Sequence, residues 1–431
     1  MMKQRETFIL QEPPPAANLD PSPLAQKPLV IQRSQHSLSR KNIDKNALKV
    51  LYRLHRSGFK AYLVGGSVRD LLLGRKPKDF DVATNARPYK IKKLFRNAFL
   101  IGRRFRLAHI KFKFQTIEVS TFRKQGPPHP SISKGERVRS ENTYGSPGED
   151  AFRRDFTINA LFYNIANFTV LDYTGGYHDL QKGLVRAIGE PEQRFREDPV
   201  RMLRAVRVAA RLGFGIESTT YQALQNLHPE IMKASSPRLL EELLVLYKMG
   251  SSHRSFAILH QTGLLKSLFP EIETILTTIS APKRTLFLRY LAQLDNLHRR
   301  QGEQPPEIFW GTFFLACMHM MYPGNDTLFK DRDLTAETFH KSETLLKLFS
   351  ARFTIPRKQR YLVKSILQVF PHLVRPKAKA KVIRKIKKQP FYPDALILLN
   401  IYKMVQTQEL SNQIGTLPTC PPSRPIHPPG K

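Results

Sequence analysis

The chain has 431 residues, more than one domain usually needs, and 41% of them are hydrophobic, enough to form buried cores. Its 70 lysines and arginines outnumber 35 acidic residues and give a formal net charge of +35. Such a surplus is costly in self-repulsion unless the partner is a polyanion. A nucleic acid is the leading interpretation and an anionic membrane the weaker one, and we predict no membrane partner. The two cysteines, Cys317 and Cys420, lack the spacing of a metal site and indicate a reducing, cytoplasmic compartment.

The chain changes character along its length. Residues 1–40 are rich in proline and glutamine without clear periodicity, which predicts a disordered leader. Strand-like apolar runs then alternate with helical periods, whereas helical periods dominate from Leu184 onwards. The C-terminal half is therefore predicted to be mostly helical. Its most apolar stretch, Ile308–Tyr322, is too short to span a bilayer and predicts a core helix.

The most informative stretch covers residues 62–84, with the sequence YLVGGSVRDLLLGRKPKDFDVAT. An apolar strand breaks at Gly65 and Gly66 and restarts as an amphipathic helix. Asp79 and Asp81 then stand two apart on a predicted second strand, so both carboxylates should project from one face. Backbone N–H groups at a glycine turn before a helix bind phosphate oxygens. Two carboxylates beside such a turn can hold Mg²⁺ and a triphosphate.

Arg69 lies in the first turn of that helix, where its guanidinium fork can reach a phosphate. The alternative interpretation of Gly65 and Gly66 is tight packing between a strand and a helix, without any ligand. The two aspartates beside the turn favour the phosphate-binding interpretation.

Further along, Ala108–Thr121 (AHIKFKFQTIEVST) alternates apolar and polar residues and predicts one half-buried strand. Ile110, Phe112 and Phe114 are predicted to lie together on its buried face. Residues 124–148 are rich in proline, glycine and serine and predict a mobile loop or lid.

The chain resembles the class II nucleotidyltransferase family in three motifs: GGSVRDLLLGRKPKDFDVAT, RRDFTINAL and DYTGGYHDL…IGEPEQRFREDPVRMLRAVRVAARL. That family contains bacterial poly(A) polymerases and CCA-adding tRNA nucleotidyltransferases, and the likeness covers roughly residues 40–270. It implies an α/β nucleotidyltransferase head with a mixed sheet, followed by an all-α neck, body and tail. The implied segments are the disordered leader 1–40, the catalytic head 41–180, a helical neck 181–255 for nucleotide and base recognition, a helical body and tail 256–405 for RNA binding, and a Pro-rich disordered tail 406–431.

The resemblance implies that Asp79 and Asp81 are catalytic and bind two Mg²⁺ ions for nucleotidyl transfer. A third acid usually supports such a pair, and two candidates remain. The resemblance favours Asp155 of the RRD motif, for which the alternative is an ion pair within its own motif. Glu118 is a physical candidate because a neighbouring strand could present it beside Asp79.

The resemblance also assigns residues to the incoming nucleotide: Gly65, Gly66, Arg69, Arg154, Asp198, Arg201 and Arg204. Asp198 and Arg201 stand three apart on one helix face and would read the base without a template. A carboxylate accepts from an exocyclic amine and a guanidinium donates to a ring nitrogen. Adenine and cytosine both present an exocyclic amine beside a ring nitrogen that accepts. Guanine and uracil present a carbonyl beside a ring N–H, so the pair would reject them. The alternative for this pair is an ordinary intrahelical salt bridge.

Two features favour the poly(A) polymerase branch. Leu100–Ile110 (LIGRRFRLAHI) and the earlier SRKNIDKNALKVLYRL resemble that branch more closely, and the acid-free block Arg375–Lys388 suits an enzyme that grips arbitrary RNA by its phosphates. We therefore predict a template-independent poly(A) polymerase that transfers AMP from ATP to RNA 3′ ends, promoting RNA decay. It is predicted to be a cytoplasmic monomer, with RNA-decay proteins as further partners. The alternatives are a CCA-adding tRNA nucleotidyltransferase and, more remotely, an inactive RNA-binding protein.

Overall fold

The computed structural model describes residues 27–102, 106–124, 144–322, 329, 332–375 and 380–407. These residues form two compact units. The N-terminal unit reaches Pro191 and also contains Gly215–Thr220. Among the described residues, the helical unit contains Glu192–Phe214 and the chain from Tyr221 onwards, so most of the segment predicted as neck lies in the same unit as the predicted body.

An eight-stranded mixed sheet forms the centre of the N-terminal unit. Its strands, in chain order, are β1 (Leu29–Ile31), β2 (Ala61–Val64), β3 (Asp81–Thr84), β4 (Ala98–Ile101), β5 (Leu107–Lys111), β6 (Thr116–Thr121), β7 (Leu161–Asn164) and β8 (Val170–Asp172). They lie side by side in the order β1-β8-β7-β2-β3-β6-β5-β4. Every neighbouring pair is antiparallel except β3 and β6, which are parallel. The predicted mixed sheet is confirmed.

Helices and a short ribbon complete this unit. The helices are α1 (Lys45–Arg56), α2 (Gly66–Leu72), α3 (Pro88–Leu94), α4 (Pro147–Phe152) and α5 (Gly176–Lys182). In the ribbon, β9 (Leu184–Val185) pairs in parallel with β10 (Gly215–Ile216). This pairing keeps the chain beyond residue 180 in the N-terminal unit, so the predicted boundary between head and neck lies inside it. Because the pairing is non-local, the periodicity of the sequence does not reveal it.

The central strands are buried on both faces. Leu63 and Val82 are fully buried on one face, where α1 packs against β2 and β3. On the other face, Tyr62 and Phe162 form an aromatic cluster with Phe122, and the rings of Tyr62 and Phe162 meet edge to face at 6.0 Å. Aromatic rings in such contacts stabilise a core beyond the area that they bury. The sheet is therefore a rigid base for side chains at the start of β3.

The predicted leader 1–40 is wrong for its last part. Residues Leu29–Ile31 form β1, which pairs antiparallel with β8 at the sheet edge, and Ile31 is only 4% exposed. A three-residue strand among polar residues and prolines is too short to give a periodic signal. The rest of the leader, residues 1–26, lies outside the described residues.

The segment Ala108–Thr121 is not one strand but a hairpin, β5 and β6, with a turn between them. Phe112 N donates to Gln115 O at 2.7 Å across this turn. Phe114 is 91% exposed at the turn and does not lie on the buried face that we predicted. The alternation of lysine and phenylalanine continues through the turn, and the period of two therefore conceals the reversal.

The helical unit is all-α in its described part. Its helices are α6 (Pro191–Glu197), α7 (Val200–Leu212), α8 (Ser218–Leu227), α9 (Ser236–Lys248), α10 (Ser252–Gln261), α11 (Leu264–Leu268), α12 (Pro270–Thr278), α13 (Ala281–Gln301), α14 (Pro306–Met321), α15 (Arg332–Phe353), α16 (Arg357–Val374), α17 (Ala380–Lys387) and α18 (Tyr392–Gln406), of which α6 and α8 begin in the N-terminal unit. The prediction that the C-terminal half is mostly helical is confirmed.

Helix α14 is the core helix predicted for the most apolar stretch. Every residue from Ile308 to Met320 is buried, including Trp310 and Phe313. Among the described residues, no helix combines the length and the apolar character that crossing a membrane would require. The predicted lid (124–148) and Pro-rich tail (406–431) fall mostly outside the described residues.

We expect Gly176→Ala to destabilise the N-terminal unit. A Cβ atom at this position would lie 2.1 Å from Thr157 O, so α5 and the 3₁₀ turn Thr157–Asn159 would have to move apart. Overpacking of this kind costs roughly 1–3 kcal/mol, and calorimetry should show a lower melting temperature. In the control Gly215→Ala, the nearest atom to the new Cβ would be Leu184 Cδ2 at 3.6 Å, an ordinary contact. Equal melting temperatures for the two variants would contradict this interpretation.

Candidate active site

The turn between β2 and α2 brings two charged side chains to one glycine. Gly65 has φ +73° and ψ −144°, a conformation that side chains disfavour. A Cβ atom here would lie 3.3 Å from Arg154 Nη1 and 3.9 Å from Asp81 Oδ2. The carboxylate and the guanidinium therefore both approach the backbone of the glycine turn.

Asp79 and Asp81 lie at the start of β3, and both are exposed. The strand begins at Asp81, so Asp79 belongs to the preceding loop and not to the strand that we predicted. Phe80 between them is only 7% exposed and anchors this part of the chain. The predicted arrangement, with two accessible carboxylates around one packed aromatic ring, is present.

A row of side chains crosses the sheet at the level of Asp81. The parallel register of β3 and β6 sets Asp81 opposite Glu118, and the antiparallel register of β6 and β5 sets Glu118 opposite His109. Neighbouring strands are about 4.8 Å apart, and residues in register project from the same face. Two carboxylates thus stand side by side next to the glycine turn, and His109 Nε2 lies 3.5 Å from Glu118 Oε2.

The electrostatic environment raises the pKa of Asp81 to about 6. One side of Asp81 is open to solvent, but protein atoms crowd its carboxylate, and this desolvation is the main cause. The negative charge of Glu118 raises the pKa further, Arg154 lowers it, and Asp79 raises it again. Three acids with one nearby cation form a site that favours an additional positive charge.

Asp150 holds the arginines of the RRD motif in place. Its carboxylate is fully buried in α4 and accepts from Arg154 Nη2 at 3.0 Å and from Arg153 Nη2 at 2.7 Å. The ring of Phe162 lies 5.2 Å below the guanidinium of Arg154. Arg154 is thereby fixed beside Gly65. The role of Asp150 was not predicted from the sequence, although its spacing of four residues from Arg154 is a signal of a helical ion pair.

A buried polar chain lies behind the glycine turn and joins two sequence motifs. Arg69 is 4% exposed and donates to Asp70 Oδ1 at 2.7 Å and to Asn159 Oδ1 at 2.6 Å. Asn159 Nδ2 in turn donates to Asp155 Oδ1 at 3.2 Å, which also accepts from Phe156 N at 2.8 Å. No feature of the sequence pointed to Asn159 as this connection.

This chain of contacts corrects the prediction for Arg69. We expected its guanidinium to reach a phosphate, but the structure buries it between Asp70 and Asn159. The guanidinium also lies 3.3 Å from the position of a Cβ on Gly66. Arg69 therefore supports the turn from behind, and a larger residue than glycine at position 66 would crowd it.

Three predicted nucleotide contacts belong to the helical unit. Asp198, Arg201 and Arg204 are all half-buried, and the two arginines lie on α7. Asp198 lies between α6 and α7, so it does not share a helix face with Arg201 as we predicted. The Asp198–Arg201 salt bridge that we considered as an alternative is not formed. Instead, Arg238 Nη2 donates to Asp198 Oδ2 at 2.9 Å, and Arg201 Nη1 donates to Glu197 Oε2 at 3.1 Å.

Within the described residues, no three acidic, histidine or cysteine side chains converge as a closed metal cage. The open arrangement of Asp81 and Glu118 is nevertheless compatible with Mg²⁺, which is usually bound by one or two carboxylates together with water and substrate phosphates. A divalent cation would also relieve the repulsion that raises the pKa of Asp81. The donor set therefore fits Mg²⁺ together with a phosphorylated substrate.

Comparisons with known proteins agree with this geometry. A model of the "Poly A polymerase head domain" matches residues 61–186, and one of the "Probable RNA and SrmB- binding site of polymerase A" matches residues 213–276. Poly(A) polymerase I of Salmonella typhimurium is 48% identical over 297 residues, which are 66% of this chain and 63% of that protein. Poly(A) polymerase I of Escherichia coli O157:H7 is 42% identical over 357 residues, 79% of this chain and 74% of the relative.

The chain belongs to the bacterial poly(A) polymerase branch of the class II nucleotidyltransferase family. It spans slightly less than two thirds of the Salmonella typhimurium relative. The CC-adding tRNA nucleotidyltransferase of Halalkalibacterium halodurans, from a neighbouring branch of the family, is 36% identical over 276 residues, 64% of each chain. The crystal structure of the Bacillus stearothermophilus CCA-adding enzyme in complex with CTP superimposes with a TM-score of 0.62 and 26% identity, over 86% of this chain and 82% of that one.

We expect Asp81→Asn to raise the free energy of unfolding more at about pH 7 than at about pH 4. The folded pKa of about 6 exceeds the ordinary value of 3.8, so ionisation of Asp81 costs stability as the pH rises between these values. Urea unfolding of both proteins at both pH values measures the difference. Glu118→Gln removes one repelling charge and should make the effect of Asp81→Asn smaller. A stability difference that does not change with pH would refute this electrostatic account.

Proposed function

We propose that this chain is a template-independent RNA adenylyltransferase that transfers AMP from ATP to RNA 3′ ends and releases pyrophosphate. The observation that carries the proposal is the meeting of Asp81, Glu118 and Arg154 at the glycine turn. Relatives named poly(A) polymerase I, at 42–48% identity, support adenylate addition over the CC addition named for a relative at 36%. The proposed setting is the cytoplasm, with RNA-decay proteins as partners of a monomeric enzyme.

Asp79, Asp81 and Glu118 are the proposed catalytic carboxylates. Two Mg²⁺ ions held there would neutralise the triphosphate and activate the RNA 3′ hydroxyl. We favour Glu118 over Asp155 as the third acid because Glu118 is in register with Asp81 and its side chain is 43% exposed. Asp155 Oδ1 already accepts two local hydrogen bonds, which suits a supporting role behind the turn.

The proposed triphosphate contacts come from the glycine turn and from Arg154. The backbone of Gly65 and Gly66 opens α2 without side chains that would block a phosphate. Arg154 is oriented by Asp150 and lies beside Gly65, where its guanidinium can bind a phosphate. Arg69 keeps the turn in this shape through its buried contacts and acts as a positioning residue.

Asp198 and Arg201 are proposed to select the base, with Arg204 as a further contact of the nucleotide. Asp198 Oδ1 is buried and accepts no hydrogen bond from the part of the chain that the structure describes. A buried acceptor of this kind gains from the exocyclic amine of adenine or cytosine and rejects the carbonyl of guanine or uracil. Arg238 holds the other oxygen of Asp198 and so fixes its orientation.

The helical unit offers a surface for RNA phosphates. Between Glu343 and Asp394 the sequence contains 14 lysines and arginines and no acidic residue. Part of this segment forms α16 and α17, whose cations at positions 357, 358, 360, 381, 384, 385 and 387 are exposed. A surface with cations alone binds nucleic acid through the phosphates, independently of sequence.

With ATP and CTP both present, we expect the chain to add adenylate tracts to an unstructured RNA and to a tRNA that lacks its 3′ end. Asp198 and Arg201 admit both bases, so the test depends on the product and not on binding alone. Sequencing of the extended 3′ ends gives the answer, and a primer with a 3′-deoxy end serves as control because it offers no hydroxyl. Consistent incorporation of CMP at the tRNA end would instead establish the CCA-adding alternative.

The third carboxylate can be identified by comparing Glu118→Gln with Asp155→Asn, each of which removes one charge, with Asp81→Ala as the reference. We expect Asp81→Ala and Glu118→Gln to lower kcat by about 10²–10³-fold, the size of effect seen when electrostatic stabilisation is lost. Asp155→Asn keeps an oxygen that can accept from Phe156 N and Asn159 Nδ2, and should preserve most of the activity. Steady-state adenylation and melting temperature are measured for each variant. A loss in Asp155→Asn equal to that in Glu118→Gln, without a change in melting temperature, would assign the role to Asp155.

A further inference from the structure

One half of the sheet has a covered face and an open face. In β4, β5 and β6, the side chains of Ala98, Ala108 and Ile117 are fully buried on the face against which α1 and α3 pack. The alternate residues point the other way, and Phe99 and Ile101 are 50% and 47% exposed on edge strand β4. Single exposed apolar residues are common on proteins, but two on one strand face form a small apolar platform.

This platform is continuous with the carboxylates. In the strand register, Phe99 stands opposite His109, His109 opposite Glu118, and Glu118 opposite Asp81. All four side chains therefore project from one face at one level of the sheet. Phe99 lies three strand spacings from Asp81, about 14 Å at the usual distance between strands.

Two lysine ammonium groups lie close to the ring of Phe99. Lys111 Nζ lies 4.8 Å and Lys92 Nζ 5.2 Å from the centroid of the Phe99 ring. Lys92 also donates to Ala98 O, which holds its ammonium at the edge of β4. Between Asp81 and Glu118 the sequence contains ten lysines and arginines and no acidic residue. An exposed aromatic ring between two cations is the combination that binds single-stranded nucleic acid, through base stacking and phosphate contacts.

We propose that the apolar platform of Phe99 and Ile101 binds the RNA primer close to its 3′ end, together with His109 and Lys111 on the neighbouring strand β5. A base stacks on Phe99, and the adjoining phosphates contact Lys92 and Lys111. The inference rests on the proposed function, because the continuity with the carboxylates matters only if the RNA 3′ end reacts there. It adds to that function a primer site in the N-terminal unit, separate from the basic surface of the helical unit.

The distance predicts which nucleotide meets Phe99. A stacked strand advances about 3.4 Å per nucleotide, so 14 Å corresponds to about four nucleotides from the reacting end, and to fewer if the strand is stretched. A dinucleotide primer is then too short to place a base on the Phe99 ring, whereas a hexanucleotide is long enough to stack on it.

The test compares Phe99→Ala with Phe114→Ala. Phe114 is a matched control because it is 91% exposed and has Lys113 Nζ 5.1 Å from its ring, but it lies in the β5–β6 turn, outside the row. With oligo(A) hexanucleotide and ATP, Phe99→Ala should raise the KM for primer about 10-fold, the loss of roughly one stacked base. The KM for ATP and kcat should stay unchanged, and Phe99→Trp should restore primer binding. Phe114→Ala should behave like the unchanged chain.

The outcomes separate this inference from the proposed function. If the unchanged chain adenylates the hexanucleotide and Phe99→Ala has the same KM for primer, the platform does not bind RNA. An equal rise in KM for the dinucleotide and the hexanucleotide would also overturn it, because the shorter primer cannot reach Phe99. A change of oligomeric state in Phe99→Ala, seen by light scattering without a change in primer KM, would make the platform a contact between copies. Absence of adenylation by the unchanged chain would instead reject the proposed function itself.

Discussion

The parallel pairing of β3 with β6 is the constraint on which the site depends. It joins Asp81 and Glu118, which are far apart in the sequence, on the same face of the sheet. A slip of one residue would turn Glu118 to the opposite face and expose Ile117 and Val119, both of which are fully buried. The hydrophobic pattern of β6 therefore fixes the position of a carboxylate, and the packing of the sheet and the geometry of the site are specified together.

A second layer of buried polar contacts determines the shape of the glycine turn. Asn159 connects Arg69 of the first motif with Asp155 of the RRD motif, and Asp150 forms ion pairs with both Arg153 and Arg154. Buried charges of this kind are satisfied inside the protein, and removing one partner is costly because the other remains desolvated. The carboxylates at the start of β3 differ from these satisfied groups. They face solvent with an excess of negative charge, as expected of a site completed by a cationic ligand.

Positive charge is concentrated where the proposed RNA contacts lie. The segment between Asp81 and Glu118 and the segment between Glu343 and Asp394 both lack acidic residues, although the chain contains 35 of them. The first segment surrounds an exposed aromatic ring, whereas the second covers helices with exposed cations. This distribution suits one contact near the reacting end of an RNA and a broader, sequence-independent contact elsewhere.

The sequence by itself determined the strand–glycine–helix turn, the exposed aspartates around a packed Phe80, the mixed α/β head, the helical C-terminal half and the excess of positive charge. These features follow from residues that are close together in the chain, from composition or from long motifs. Only the tertiary structure decided that Glu118 lies beside Asp81, that Arg69 is buried behind the turn, and that Asp198 pairs with Arg238. Each of these depends on which distant segments pair and in what register, or on which partner takes a charged group out of solvent. Local periodicity carries no information about either.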